Sequence, residues 1–268
     1  MAQKRERTLP ATRHQQLRTL LGAQPETVVT LRDLATELGV SEQTVRRDLA
    51  VLERSGIIDR TFGGAVIRSS QQRFEPVMET RETAEADKKL AIAQRALELL
   101  APDDIAFFDA STTVLALIRL IPRDFDLGAS THSITALRTL SSLGVDHLAL
   151  LGGEYRRVSD CMGGPQTLAQ IAQMRFSVAF LSARAFDIHH GLTEARADEA
   201  ILKSEAVRRA KRTVVLLDST KFETISPYQY ADLQGIDTLV VDSGAPPEAL
   251  DMIRSEAPDL ELIVANVP

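Results

Sequence analysis

Val40-Ser41-Glu42-Gln43-Thr44-Val45-Arg46-Arg47-Asp48-Leu49 is the most informative run in the chain. Wound on a helix at about 100° per residue, Val45, Leu49 and Leu52 fall within about 60° of one another and face a core. Gln43, Arg47 and Ala50 fall on the opposite side, with Thr44 and Arg46 on the flanks. The outward face is therefore small and polar and carries two adjacent arginines. Arginine can pair bidentately with guanine O6/N7, and glutamine with adenine N6/N7. Ser41 stands where it can cap the helix, and its hydroxyl together with the first N–H groups can hold a backbone phosphate.

The flanking sequence supplies the rest of a helix-turn-helix. Arg13 to Leu21 carries Leu17, Leu20 and Leu21 on one stripe and ends at Gly22 and Pro25. Thr30 can cap a second helix bearing Leu31, Leu34, Ala35 and Leu38, with Asp33 at the capping-box distance. Gly39 permits the positive φ of a tight exit. On the C-terminal side, two short β-type runs from Gly56 to Ile67 flank Gly63-Gly64 and predict a hairpin, the wing. Arg60 and Arg68 on it can reach phosphates. The expected partner is double-stranded operator DNA, met by Ser41, Gln43, Thr44, Arg46, Arg47 and Arg60.

Charge is distributed to match. The chain has 268 residues and a net charge of −6, yet residues 1–73 hold 12 Lys+Arg against 8 Asp+Glu. The basic head can meet phosphate, while the acidic remainder is repelled and favours one docking orientation. The single cysteine, Cys161, excludes an intrachain disulfide. With no N-terminal apolar signal stretch and no run approaching the ~18 apolar residues of a membrane span, the expected location is the cytoplasm, with no membrane partner.

These residues resemble the DeoR/GlpR family of bacterial transcription regulators. The matching words are Val40-Ser41, Thr44 to Leu49, Leu52-Glu53, Gly56, and Arg60 with Phe62-Gly63-Gly64-Ala65. The resemblance continues through Lys88 or Lys89 before Ile92-Ala93, Asp109 to Thr113, Gly152-Gly153, Gly191-Leu192-Thr193 and Asp218 to Phe222, covering about residues 10–243. It implies a regulator, more often a repressor than an activator, that binds DNA as a homo-oligomer. It also implies a C-terminal domain resembling sugar-phosphate isomerases that senses a phosphorylated metabolite. The chain departs from the family pattern at three places: Ser111 and Ser182 stand where glycine is usual, and His132 where asparagine is common.

The fold class is α/β: a winged helix-turn-helix over 1–68, a linker over 69–86 holding Arg73, Phe74 and Arg81, and a mainly parallel α/β domain over 87–268. Short apolar strands such as Ile105 to Asp109, Ser177 to Ser182 and Thr213 to Leu217 alternate with helices, as a parallel sheet covered on both faces requires. Ligands of such sheets sit at the carboxyl ends of the strands. Polar clusters fall there: Asp109-Ala110-Ser111-Thr112-Thr113, Ser130-Thr131-His132-Ser133, Gly152-Gly153 onward, and Asp218 to Lys221. The predicted effector residues are Asp109, Ser111, Thr112, Thr113, Thr131, His132, Gly152, Gly153 and Lys221. Hydroxyls and helix N-terminal N–H groups suit an anion, Gly152-Gly153 permits close backbone approach, and Lys221 adds positive charge. Asp109 is expected to order its loop, because a carboxylate repels phosphate.

Other residues carry blander readings. Each Ser/Thr/Asp cluster also suits a helix cap. His189-His190 lack a third metal ligand at a suitable spacing and read as a loop, so no metal, cofactor or catalytic group is expected. Cys161 reads as structural and Lys203 as a solvated helix lysine. Two other functions stay open at this point. One is an isomerase-like enzyme with an appended DNA-binding head; Asp109, Glu154 or His132 could be nominated, but no spacing pairs them. The other is an architectural DNA-binding protein without a ligand.

Overall fold

The computed structural model describes residues 13, 14, 16, 17, 20, 29–54, 58–61, 64–67 and 78–267. The predicted helix end at Gly22 and Pro25, the wing tip Gly63, Arg68, and residues 69–77 of the predicted linker lie outside the described residues. The chain divides into two compact units, Met1–Val77 and Met78–Pro268.

The first unit is a winged helix-turn-helix. Residues 13, 14, 16, 17 and 20 are helical. They are followed by β1 (Val29–Thr30), α1 (Leu31–Leu38), α2 (Glu42–Arg54), β2 (Ile58–Thr61) and β3 (Gly64–Ile67). Thr30 starts α1: its Oγ1 accepts from Asp33 N at 3.2 Å and donates to Asp33 Oδ2 at 2.7 Å. Gly39 ends that helix at φ 64°, a left-handed conformation that side-chain-bearing residues rarely adopt. Ser41 starts α2 by accepting from Thr44 N at 3.2 Å. The apolar stripes of the three helices meet in one core of Leu17, Leu31, Leu34, Ala35, Val45, Leu49 and Leu52. Each large aliphatic side chain buried there contributes roughly 1.5–3 kcal/mol. The wing is an antiparallel sheet in the order β1-β3-β2, with Arg60 of β2 opposite Ala65 of β3.

The second unit opens with α3 (Met78–Thr83) and α4 (Ala86–Leu97), so part of the stretch read as a linker is helix. Its framework is a seven-stranded sheet. The strands are β4 (Asp104–Phe108), β5 (Leu127–Thr131), β6 (His147–Leu150), β9 (Phe176–Leu181), β12 (Ala210–Leu217), β14 (Thr238–Asp242) and β15 (Glu261–Ala265). Their order is β15-β14-β12-β9-β4-β5-β6, and every pairing is parallel. Alternation along each strand feeds two apolar layers: Phe107, Leu181, Val215 and Val241 point to one face, Phe108, Phe180, Val214 and Val240 to the other. The first layer is covered by α7 (Pro165–Gln173), α8 (Ala197–Arg209) and α9 (Pro247–Glu256). The second is covered by α4, α5 (Thr112–Ile118) and α6 (Ile134–Ser142).

The strand order reverses between β4 and β9, since β5 and β6 lie on one side of β4 and β9, β12, β14 and β15 on the other. That reversal leaves a crevice at the carboxyl ends of the two strands. Two small additions stand beside it: an antiparallel hairpin of β7 (Glu154–Arg156) and β8 (Cys161–Gly163), and an antiparallel sheet β10 (Ala185–Asp187), β11 (Gly191–Glu194), β13 (Tyr228–Ala231).

Candidate functional site

The first unit presents a polar helix face. Gln43, Arg46 and Arg47 are exposed, Thr44 is half-buried, and Val45, Asp48, Leu49 and Leu52 point inward. The Ser41 hydroxyl lies 2.9 Å from Thr44 Oγ1 in addition to its backbone bond, so it is already engaged as a cap. Sequence reasoning overlooked the role of Asp48. This carboxylate follows the two arginines directly and would repel DNA phosphate if exposed. Instead it is buried, gripped by Arg13 Nε at 2.8 Å, Arg13 Nη2 at 3.2 Å and His14 Nε2 at 3.1 Å. The N-terminal helix thereby takes up the negative charge and leaves the arginines outside. The cue was the i to i+1 change of helix face between Arg47 and Asp48.

In the second unit the crevice is built around Asp109. Its backbone N–H donates to Phe180 O at 3.1 Å, stitching the end of β4 to β9. Its side chain is buried beside Lys203, with Nζ 3.0 Å from Oδ2, an ion-pair contact without hydrogen-bond alignment. Lys203 Nζ also donates to Glu194 Oε1 at 2.5 Å and to Ser182 O at 2.7 Å. Tyr230 closes the group by donating its hydroxyl to Ser182 O at 3.1 Å. Burial alone would strip Lys203 of its proton, but Asp109 and Glu194 outweigh that and hold the ammonium well above its ordinary range. Lys203 is thus a buried structural cation, which corrects the expectation of a solvated lysine. The helical register of α8 turns it toward the sheet end, where two carboxylates await it.

His132 joins the network from β5. Its Nδ1 lies 2.9 Å from Met162 O, and its ring stacks on Phe107 at 5.9 Å. Nε2 faces two partners, the Ala110 N–H at 3.3 Å and Asp109 Oδ1 at 3.4 Å. Without a proton Nε2 accepts from Ala110; with one it donates to Asp109. Burial pulls the imidazole toward neutrality, but Asp109 and the neighbouring Cys161 outweigh it and raise its affinity for protons. Burial favours the neutral form of Asp109 too, but Lys203 and His132 hold it far below the usual carboxylate range. Asp109 is therefore a buried carboxylate held between Lys203 and His132.

The remaining predicted effector residues divide into two groups. Several are engaged in local structure. Ser111 Oγ caps α5 by accepting from Val114 N at 3.2 Å, at the start of a buried Thr112-Thr113 turn. Thr131 Oγ1 donates to Phe108 O at 2.8 Å and accepts from Ser133 N at 3.1 Å. Gly152 N–H donates to Gln170 Oε1 at 3.2 Å, and its carbonyl accepts from Thr167 Oγ1 at 2.9 Å and Gln170 Nε2 at 2.9 Å. A Cβ on Gly153 would sit 2.4 Å from Gly163 O, so this glycine admits the neighbouring hairpin. Lys221 behaves differently. It is half-buried in the turn after β12, and its Nζ lies 3.9 Å from Asp218 Oδ2. Burial lowers its proton affinity; Asp218 opposes that, while Arg184 and Arg81 add to it.

Two lysines before β4 take structural places. Lys89 is buried and donates to Ala84 O at 2.5 Å and to Arg81 O, closing the turn after α3. Lys88 pairs with Glu85 at 2.8 Å. Among the described residues no group of three or more His, Cys, Asp or Glu side chains is placed to hold a metal ion. His190 instead contacts Asp187 Oδ1 at 2.7 Å in the β10–β11 turn. Among the same residues no helix is long and apolar enough to cross a membrane.

Residues 13–71 match the DeoR-like helix-turn-helix domain, and residues 84–243 match the DeoR C-terminal sensor domain. The chain belongs to the DeoR family. It is a DNA-binding transcriptional regulator rather than an enzyme, with a sensor domain for a small molecule. Relatives of similar length extend the match. The HTH-type transcriptional regulator GlpR of Haloferax volcanii is 34% identical over 84% of this chain and 88% of its own. The lactose phosphotransferase system repressor of Lactococcus lactis is 29% identical over 83% and 88%. The L-fucose operon activator of Haemophilus influenzae is 30% identical over 80% and 85%. Solved structures overlap a smaller part. Ribose 5-phosphate isomerase A from Methanocaldococcus jannaschii has a TM-score of 0.39 at 16% identity, covering 52% of this chain and 55% of the isomerase.

Proposed function

We propose that this DeoR-family member is a cytoplasmic repressor of genes for sugar use, and that a phosphorylated sugar or related small metabolite controls it from the crevice between β4, β9 and β12. Lys221 carries the reading. A half-buried ammonium 3.9 Å from its nearest carboxylate is an incompletely paired cation at the ligand end of a parallel sheet. A phosphate monoester supplies the missing negative charge. The names of the lactose-system repressor and the fucose-operon activator agree with control of sugar genes, and the former with repression.

Regulation then follows from linkage. The effector shifts the protein between states that differ in affinity for the operator, by no more than its own difference in affinity for those states. A homo-oligomer presents two reading helices to related half-sites. The test is a thermal-shift and calorimetric screen of hexose and pentose phosphates against the unphosphorylated sugars. A phosphorylated ligand that raises the melting temperature and weakens operator binding is the expected outcome. Binding of the free sugars alone, or of no member of the panel, overturns the reading.

A further inference from the structure

We propose that Arg184 is the residue that reads the effector's anion, forming with Lys221 a two-cation clamp for a phosphate monoester. The inference deepens the proposed function and rests on it for the identity of the anion. Arg184 lies just beyond β9, on the strand-order reversal itself. The loop around it is fixed at several points. Arg184 N–H donates to Thr193 O at 3.1 Å. Two residues earlier, Ser182 O accepts from Lys203 at 2.7 Å and from Tyr230 at 3.1 Å. Two residues later, Phe186 bridges to Phe222 in parallel register, and their rings meet edge to face at 5.2 Å.

Phe222 directly follows Lys221, so this bridge brings the two cationic positions together. Their proximity is also felt electrostatically, since the positive charge of Arg184 works against protonation of Lys221. Arg81 acts in the same sense, and Asp218 and Glu194 in the opposite sense. Of those carboxylates, Glu194 is already committed to Lys203 at 2.5 Å. Asp218 is committed to its own turn, where it accepts from Thr220 N at 3.1 Å. Two half-buried cations that repel each other are relieved together by one dianion. The planar guanidinium adds what the lysine lacks, two parallel N–H donors matched to two phosphate oxygens.

Inorganic phosphate is the probe, titrated by calorimetry into the full chain as wild type, Arg184→Gln, Arg184→Lys and Lys221→Gln. Arg184→Gln is expected to weaken phosphate about tenfold or more, and Arg184→Lys to fall between it and the wild type. Acylation of Lys221, mapped by peptide mass, is expected to be slowed by phosphate in the wild type and not in Arg184→Gln. This protection would not respond to a merely structural role. Equal phosphate affinity in wild type and Arg184→Gln, or no phosphate binding by the wild type, overturns the clamp. The broader reading fails separately. If phosphate needs Arg184 but no sugar phosphate competes with it, the clamp stands and the phosphorylated-sugar effector falls.

Discussion

Arg46 and Arg47 on α2 and Lys203 on α8 are cations on helices of the same length, 13 residues each, yet they do opposite things. The arginines are exposed, and the carboxylate beside them is turned away, ion-paired with Arg13 and in contact with His14. Their charge is kept for something outside the protein. Lys203 is buried against Asp109 and Glu194, and its charge is consumed within the fold. A positive residue therefore signals a partner only where the fold leaves it uncompensated. By that criterion the exposed face of α2 is the one we propose reads DNA. In the body, Lys203 is architecture, and Lys221 and Arg184 are the cations we propose for the ligand.

The strongest way to break this contrast is to remove Lys203. Lys203→Met takes the ammonium away from two buried carboxylates, and loss of one partner of a buried ion pair costs about 3–5 kcal/mol. Urea unfolding of the full chain should show that loss in the transition of the larger unit. The neutral triple variant Asp109→Asn, Glu194→Gln, Lys203→Met should recover much of it, because the two carboxylates that lost the ammonium are then uncharged as well. A loss below about 1 kcal/mol in the single variant would place Lys203 with the solvated lysines after all.

Arg46→Ala with Arg47→Ala tests the other side. Each base-reading arginine is worth about 1–3 kcal/mol of discrimination, so the pair should weaken binding to a selected operator roughly 30-fold or more. Because both side chains are exposed, folding stability should stay within about 0.5 kcal/mol of wild type. Fluorescence anisotropy at several salt concentrations separates base reading from phosphate attraction. Unchanged sequence discrimination would show that α2 is not the reading helix.

The contrast also explains what the sequence disclosed. α2 was legible because its information is local. Val45, Leu49 and Leu52 repeat at helical spacing, Ser41 and Gly39 mark the ends, and the exposed face follows from angle alone. The parallel sheet was legible for a similar reason, since apolar runs such as Ile105 to Phe108 are too short for helices. The crevice was only half legible. Asp109, His132, Glu194, Lys203 and Tyr230 come from five separate elements, and no spacing along the chain connects them. Lys203 lies among the polar residues of α8, and its burial depends on Asp109 and Glu194 arriving from β4 and β11. The small strands β10, β11 and β13 and the helix α7 were not anticipated, because their burial comes from packing beside the sheet. Arg184 escaped notice because a single arginine in a loop has no pattern.

His132→Asn probes the buried network more gently. It removes an imidazole hydrogen-bonded to a carboxylate and should cost about 1–3 kcal/mol near neutral pH. The pH profile carries the sign. His132 titrates near 6.5 when unfolded and is pushed up to about 10 in the fold. Its contribution is therefore fully present below pH 6.5 and fades as pH rises toward 10. The stability gap between wild type and His132→Asn should be constant in acid and close through the alkaline range. A gap that widened with pH would mean that the ring is held neutral, accepting from Ala110 rather than donating to Asp109.

Ser41→Ala should give the smallest effect, and it returns the comparison to the head. In the free protein the Ser41 hydroxyl serves its own helix, bonded to Thr44 N at 3.2 Å and facing Thr44 Oγ1 at 2.9 Å. Loss of an N-cap costs about 1 kcal/mol of stability. If capping is its whole role, operator affinity should follow only that loss, and Ser41→Asp should restore stability because aspartate caps equally well. If Ser41 also holds a backbone phosphate, Ser41→Asp should restore stability yet weaken operator binding, since it sets a carboxylate against the phosphate. The second pattern is expected, because the N-terminus of α2 adjoins the exposed Gln43 and Arg46. The first would confine DNA contact on this helix to the outward side chains beyond its first turn.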